Sequence, residues 1–213
     1  VPVLNVFDRP LSDEKQLLKR LEDFGLASLM LLLFSPLMLL TALMIKLTSR
    51  GPVLFRQPRS GFNNQMIDVY KFRTMHLHEP APGELVQARP NDSRLTPIGG
   101  FLRRASLDEL PQLLNVLNGS MSLVGPRPHA SGTRAANVLF EEAVAEYAAR
   151  HRVKPGLTGW AQVNGWRGET DTLEKIQRRV EHDLFYIENW SLRFDLKILL
   201  MTVAEVLRRR NAW

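Results

Sequence analysis

Asp108 and Glu109 stand side by side in Ser106-Leu107-Asp108-Glu109-Leu110-Pro111, directly after Arg103-Arg104. Adjacent carboxylates beside two arginines suit a nucleophile and a cation ligand, because nearby positive charge keeps a carboxylate ionised at neutral pH. The same residues also have the S-x-x-E spacing of a capping box, in which Ser106 and Glu109 close a helix N-terminus and Asp108 sits at its positive end. Pro111 weakens that reading. A proline five places after the cap deletes a hydrogen bond in the second turn, so a helix starts afresh near Pro111 and leaves Asp108-Glu109 in a turn.

Two further segments carry cations in constrained backbone. Gly125-Pro126-Arg127-Pro128 reads either as an elbow that aims one guanidinium at phosphate oxygens or as a structural turn with a solvated arginine; proline on both sides fixes the local φ values. In Lys71-Phe72-Arg73-Thr74-Met75 the basic side chains alternate with apolar ones, so Lys71 and Arg73 share one face of a strand, which by itself also fits a solvated face. His76, His78 and His129 lack metal-like spacing and are read as ordinary polar residues.

The elements that must position these groups begin with a charge-free apolar run over residues 24–45, interrupted by Ser35-Pro36. Unbroken, a helix of that length reaches roughly 33 Å, enough for a hydrocarbon core of about 30 Å. Pro36 removes a donor and crowds the carbonyl of Leu32, while the Ser35 hydroxyl can bond back one turn. Lys15, Lys19 and Arg20 precede the run, and Lys46, Arg50, Arg56 and Arg59 follow it. A single span would show that excess on one side only. A re-entrant hairpin with both ends in the cytoplasm is therefore favoured over a kinked span or a buried core helix.

Around that run the sequence predicts an amphipathic lead-in helix over 11–23 and a small sheet from 53–57 and 67–72 about the turn Gly61-Phe62-Asn63-Asn64. A loop covers 79–94, and helices follow over 98–104, 110–117 and 137–152. Another runs along the stripe Leu173, Ile176, Val180, Leu184 and Ile187, and a last one, over 192–210, can lie on a membrane surface. The expected fold class is α+β: a mostly helical monotopic membrane protein with a re-entrant membrane helix, a small β element and amphipathic surface helices. Its parts would be 1–23 (strand remnant and lead-in helix), 24–47 (re-entrant helix) and 48–213 (cytosolic catalytic domain with interfacial helices).

Composition narrows the partners. The 213 residues carry a formal charge of +6 and no cysteine, which suits an anionic partner (lipid, phosphorylated substrate or nucleic acid) and excludes disulfides and thiolate chemistry. Nucleic acid is disfavoured because no aromatic series interleaves with the basic residues. Val1-Pro2-Val3-Leu4-Asn5-Val6 reads like the last strand of something upstream.

Taken together, KFRTM (71–75), SLDELPQ (106–112), MSLVGPRP (121–128), KPGLTGWAQVNG (154–165), the Ser-Pro break and WSLRFDLK (190–197) resemble the bacterial sugar transferase family of monotopic phosphoglycosyl transferases. The resemblance covers nearly the whole chain, and its start resembles the junction after the N-terminal regions of longer, exopolysaccharide-initiating members. It implies transfer of a hexose-1-phosphate from a UDP-sugar to undecaprenyl phosphate, with release of UMP through a covalent aspartyl phosphosugar. It also implies a place in the bacterial inner (cytoplasmic) membrane, with the catalytic domain on the cytoplasmic face. By motif, Asp108 is the nucleophile, and Asp108 and Glu109 hold Mg2+. Lys71, Arg73, Arg103 and Arg127 bind substrate. Arg167-Gly168-Glu169-Thr170-Asp171 resembles the glucose-using branch; Ser120 departs from the pattern, where an acidic residue is common, and takes no metal role. An oligomer is compatible with all of this. The competing functions are a CDP-alcohol phosphotransferase, which needs several spanning helices, and a membrane-tethered basic module for acidic lipid or nucleic acid.

Overall fold

The computed structural model describes residues 11–76, 92–129, 133–135, 138–144, 146–166, 168 and 172–208. The expected strand remnant at 1–6, most of the loop at 79–94, His78, most of 167–171 and the end of the last helix lie outside these residues.

The chain opens with α1 (Asp13–Thr48), one helix of 36 residues. The lead-in helix and both arms of the apolar run are thus a single element, and Pro36 lies inside it. The Ser35 hydroxyl donates to the carbonyl of Leu32 at 2.8 Å, the back-bond expected where proline withdraws a donor. Many of its leucines lie uncovered by the described residues: Leu32, Leu39 and Leu47 are 75%, 72% and 76% exposed. Among the described residues α1 is the one helix long and apolar enough to cross a membrane.

Both ends of the apolar run are tied to the same folded body. Before it, Arg20 donates to the carbonyls of Val116 and Leu117, each at 2.6 Å. Asp23 accepts from the Leu123 amide at 2.9 Å and the Ser122 hydroxyl at 3.0 Å, and Lys19 pairs with the fully buried Asp195 at 2.7 Å. After it, the buried Arg73 guanidinium gathers the carbonyls of Ser49, Arg50 and Pro52. The two anchor regions are joined through Asn115, which accepts from the Tyr70 amide at 2.9 Å and donates to the Asp68 carbonyl at 2.7 Å.

That body is built from short pieces. Strands β1 (Leu54–Ser60) and β2 (Met66–Phe72) form an antiparallel hairpin in the register Leu54↔Phe72 to Ser60↔Met66, turning through Gly61 and Phe62–Asn64 as the sequence predicts. Helix α2 (Gly99–Arg104), a 3-10 turn (Leu107–Glu109) and α3 (Gln112–Asn118) follow. Helix α3 stops at Gly119, whose φ of 85° is the left-handed cap that glycine adopts without steric cost. Strand β3 (Ser122–Val124) pairs in parallel with β6 (Gly156–Thr158). The backbones meet so closely that a Cβ on Gly156 would lie 2.1 Å from the Gly125 nitrogen.

The described residues of 137–152 do not form the single helix expected. They give β5 (Val138–Leu139), which pairs with β4 (Arg134–Ala135), then α4 (Phe140–Ala143) and a 3-10 helix (Tyr147–Arg152). The reason is burial: Tyr147 and Arg150 both point into the core, and three residues per turn brings that pair onto one line. Helices α5 (Trp160–Val163), α6 (Leu173–Glu188) and α7 (Leu192–Arg208) complete the body. Of the predicted α6 stripe, Ile176, Val180 and Ile187 are buried.

The main core joins Ala27 of α1 to Val69, Leu113, Val116, Leu123, Tyr186 and Ile198. A second cluster sets Ile45 of α1 against Phe72 and Leu102, with Leu107 and Leu110 packed around it. The carboxylate turn therefore rests directly on the second arm of the apolar helix. Helix α7 keeps Leu196, Leu200 and Val203 exposed, the amphipathic pattern expected of a surface helix.

Candidate active site

The turn that carries the two acids is set by Ser106. Its φ and ψ of 56° and 18° are left-handed, a region costly for a residue with a Cβ and characteristic of sites where geometry outranks local stability. The turn ends α2 and redirects the chain, so that Leu107 and Leu110 enter the cluster around Ile45, and α3 starts afresh behind Pro111. No capping box forms. Ser106 makes no side-chain cap hydrogen bond, and the Glu109 carboxylate turns to cations instead.

Glu109 accepts from Lys71 Nζ at 3.0 Å and is clamped by both Nη atoms of Arg127. This two-pronged contact is the geometry arginine offers to a carboxylate or phosphate. Asp108, 8% exposed, accepts no hydrogen bond from a described residue, but it feels Lys71, Arg103 and Arg127 electrostatically. Arg103 is steadied by its Nε bond to Thr74 Oγ1 at 2.9 Å.

Burial, and then the neighbouring Glu109 charge, push the Asp108 carboxyl up to about 6, against the pull of Lys71, Arg103 and Arg127. The cations are legible in the sequence and the desolvation, which is the larger effect, is not. The group is still mostly ionised at pH 7.

Arg127 is aimed from behind. The amide of Gly156 donates to the Pro126 carbonyl at 2.9 Å, and Arg150 Nη2 donates to the Arg127 carbonyl at 2.7 Å. Arg150 is fully buried and pairs with Asp183 of α6, also at 2.7 Å. His129 lies against Arg150 and Tyr147. Burial, with Arg150 and Arg179 beside it, drives this imidazole well below its ordinary range, so it stays neutral. Arg150, Arg179 and Asp183 escaped the sequence reading: their roles come from contacts between segments with no shared motif.

Of the expected site residues, the fold brings together Asp108, Glu109, Lys71, Arg103 and Arg127. It does not bring Arg73. Strand β2 ends at Phe72, so the two-residue alternation that would align Arg73 with Lys71 stops there. Arg73 is 2% exposed and bonds the backbone at the end of α1, with a further contact to the Ser49 hydroxyl at 3.0 Å.

The acid pair suits Mg2+. This ion takes hard oxygen donors and typically binds through one or two carboxylates plus substrate phosphates, and no cluster of three or more candidate ligands exists among the described residues. Both oxygens of Glu109 are engaged by Lys71 and Arg127, which leaves Asp108 the freer donor. The mutual repulsion that raises Asp108 is what a divalent cation relieves.

A buried carboxylate ringed by Lys71, Arg103 and Arg127, on an α+β body carrying an uncovered apolar helix, is the type of site that handles phosphorylated ligands. The chain belongs to the bacterial sugar transferase family, whose model matches residues 14–209. It is 56% identical over 203 residues to the UDP-glucose:undecaprenyl-phosphate glucose-1-phosphate transferase of Escherichia coli (strain K12), covering 95% of this chain and 43% of that protein. The protein of the same name in Klebsiella pneumoniae is 50% identical over 213 residues, covering all of this chain and 45% of its own. That of Caulobacter vibrioides is 51% identical over 195 residues, covering 92% and 72%. The chain thus spans less than half the length of the first two relatives.

Proposed function

We propose that this chain transfers glucose-1-phosphate from UDP-glucose to undecaprenyl phosphate and releases UMP, initiating an exopolysaccharide, with Asp108 as the covalent nucleophile. The observation that carries the mechanism is the buried Asp108 carboxylate, free of hydrogen bonds from described residues, beside Lys71, Arg103 and the Glu109-clamped Arg127. The names of the relatives carry the choice of glucose and of the lipid.

An Asp108 oxygen attacks the β-phosphorus, a new P–O bond forms, and the bond to the bridging oxygen breaks as UMP leaves with that oxygen. A phosphate oxygen of the lipid then attacks the same phosphorus and displaces Asp108, restoring the carboxylate. A phosphate monoester with a second pKa near 6 is largely dianionic at neutral pH, so this attack needs no general base. Neutral His129 is consistent with that. Lys71, Arg103 and Arg127 hold the phosphoryl oxygens and offset the charge that develops on them. Glu109 positions Lys71 and Arg127, and with Asp108 it would hold Mg2+. That ion, when bound, supplies further charge neutralisation.

Residues 24–45 are proposed to dip into one leaflet and return, at the bacterial inner membrane with the body on the cytoplasmic face. The support is that Arg20 and Asp23 before the run, and Ser49 and Arg50 after it, are bonded to one folded body. The arrangement keeps Asp108 near the depth of lipid phosphates and replaces diffusion with proximity. The chain has no cysteine, so Glu14→Cys and Arg56→Cys report cleanly: an impermeant thiol reagent should label both from the same side, and labelling from opposite sides would establish a span.

The test of activity is UMP release by the protein in lipid nanodiscs with Mg2+, undecaprenyl phosphate and a panel of UDP-sugars. UDP-glucose should be the best donor; no UMP from any donor overturns the reading. The first half-reaction should also depend on pH in one direction. The attacking form is the ionised one and Asp108 titrates at about 6. Adduct formation without acceptor should therefore be flat above pH 7 and fall about tenfold per unit below 6. A profile flat down to pH 4.5 would assign the nucleophile elsewhere.

A further inference from the structure

Arg59 follows the apolar run and belongs to none of the motifs that carry the family resemblance. In the β1–β2 register, Phe55, Gln57 and Arg59 lie opposite Lys71, Val69 and Ile67, so Arg59 is on the same face of the hairpin as Lys71. Its Nη2 donates to Gln57 Oε1 at 2.6 Å, which tilts the side chain along the strand toward the Lys71 end. There it comes within electrostatic reach of Arg127 and Glu109. The next residue ties the strand to the arginine elbow, because the Ser60 amide donates to the His129 carbonyl at 3.2 Å.

Resting on the reading above, we propose that Arg59 is a substrate-binding residue that takes a phosphate oxygen of the nucleotide diphosphate, opposite Arg127. A strand cation held by a neutral amide is the plain alternative, but it leaves a cost unexplained. Burial and the nearby Arg127 charge lower the Arg59 guanidinium to about 10, with Glu109 offsetting only part of this, and no carboxylate lies within ion-pair distance of it among the described residues. A half-buried cation beside another cation is unfavourable until an anion joins them. The charge balance points the same way. Lys71, Arg103 and Arg127 already surround the acid pair, and Arg59, within reach of Arg127 and Glu109, adds one more positive charge on the side where a diphosphate would lie.

The experiment uses the full chain in nanodiscs and two readouts: equilibrium binding of UDP, and KM against kcat for UDP-glucose. Arg59→Gln should weaken UDP binding tenfold or more and raise KM by a similar factor, with Tm unchanged or higher because a half-buried charge beside Arg127 is gone. Arg59→Lys should recover part of the affinity. Unchanged UDP affinity in Arg59→Gln overturns the proposal, and so does a lowered Tm with intact affinity, the mark of a purely structural strand residue. If wild type releases no UMP, the transferase reading fails by itself, and the UDP titration still decides whether Arg59 binds the diphosphate.

Discussion

Asp108→Asn should lower turnover by about 10⁴-fold or more and at the same time make the protein more stable. The loss follows from the removal of the proposed covalent nucleophile: an amide is a poor one, and the surrounding cations cannot substitute for it. The gain follows from linkage. A carboxyl raised from 3.8 to about 6 by burial and by Glu109 contributes its stabilising share below the unfolded value and loses it as pH rises through about 6. At pH 7.5 the wild type therefore carries a buried charge whose cost is on the order of 1–3 kcal/mol, and a neutral isostere does not. Thermal melts at pH 5 and 7.5 should show Asp108→Asn ahead at 7.5 and the difference shrinking at 5. Mass spectrometry should find the phosphosugar on wild type alone. Full activity in the variant, or an adduct mapped to another residue, would refute the assignment.

The second large effect is expected far from any substrate. Arg73→Ala should destabilise the fold by about 3–5 kcal/mol, a large share of the usual 5–15 kcal/mol, and lower the yield of folded protein. Arg73 closes the junction between α1 and β1 with bonds of 2.7 Å to Pro52, 2.6 Å to Arg50 and 3.0 Å to Ser49. Alanine strands the buried Ser49 carbonyl, where an unsatisfied polar group is costly, and unties those of Arg50 and Pro52. The positive charge also faces the carbonyl end of α1, where the helix dipole favours it. Arg73→Lys, with three donors but no planar fork, should recover only part of the stability. If the alanine variant instead melts like wild type and shows a raised KM for UDP-glucose, Arg73 is a substrate ligand after all.

Arg73 and Lys71 show where sequence reading succeeds and where it stops. Alternation placed both on one strand face, and β2 did form with the hairpin partner expected. The strand ends one residue before Arg73, however, and strand ends depend on what the next segment packs against. Likewise Pro111 and the Asn118-Gly119 stop signalled α3 correctly, because proline and glycine act through local backbone geometry. The stretch 137–152 misled: its composition suits a helix, while the demand to bury Tyr147 and Arg150 around His129 selects a hairpin and a 3-10 turn.

Local chemistry, then, is what the sequence by itself determined: the apolar run with its Ser-Pro interruption, the acid pair in a turn before Pro111, the arginine between two prolines, and the family these motifs define. Tertiary structure alone decided which cations gather at the acid pair and which tie the scaffold, how Arg150 and Asp183 aim Arg127, and in which direction Asp108 is shifted. The division has a physical cause. Backbone preferences and hydrophobic patterns act within a few residues of the chain, whereas desolvation and charge pairing depend on neighbours that only folding brings within a few ångströms.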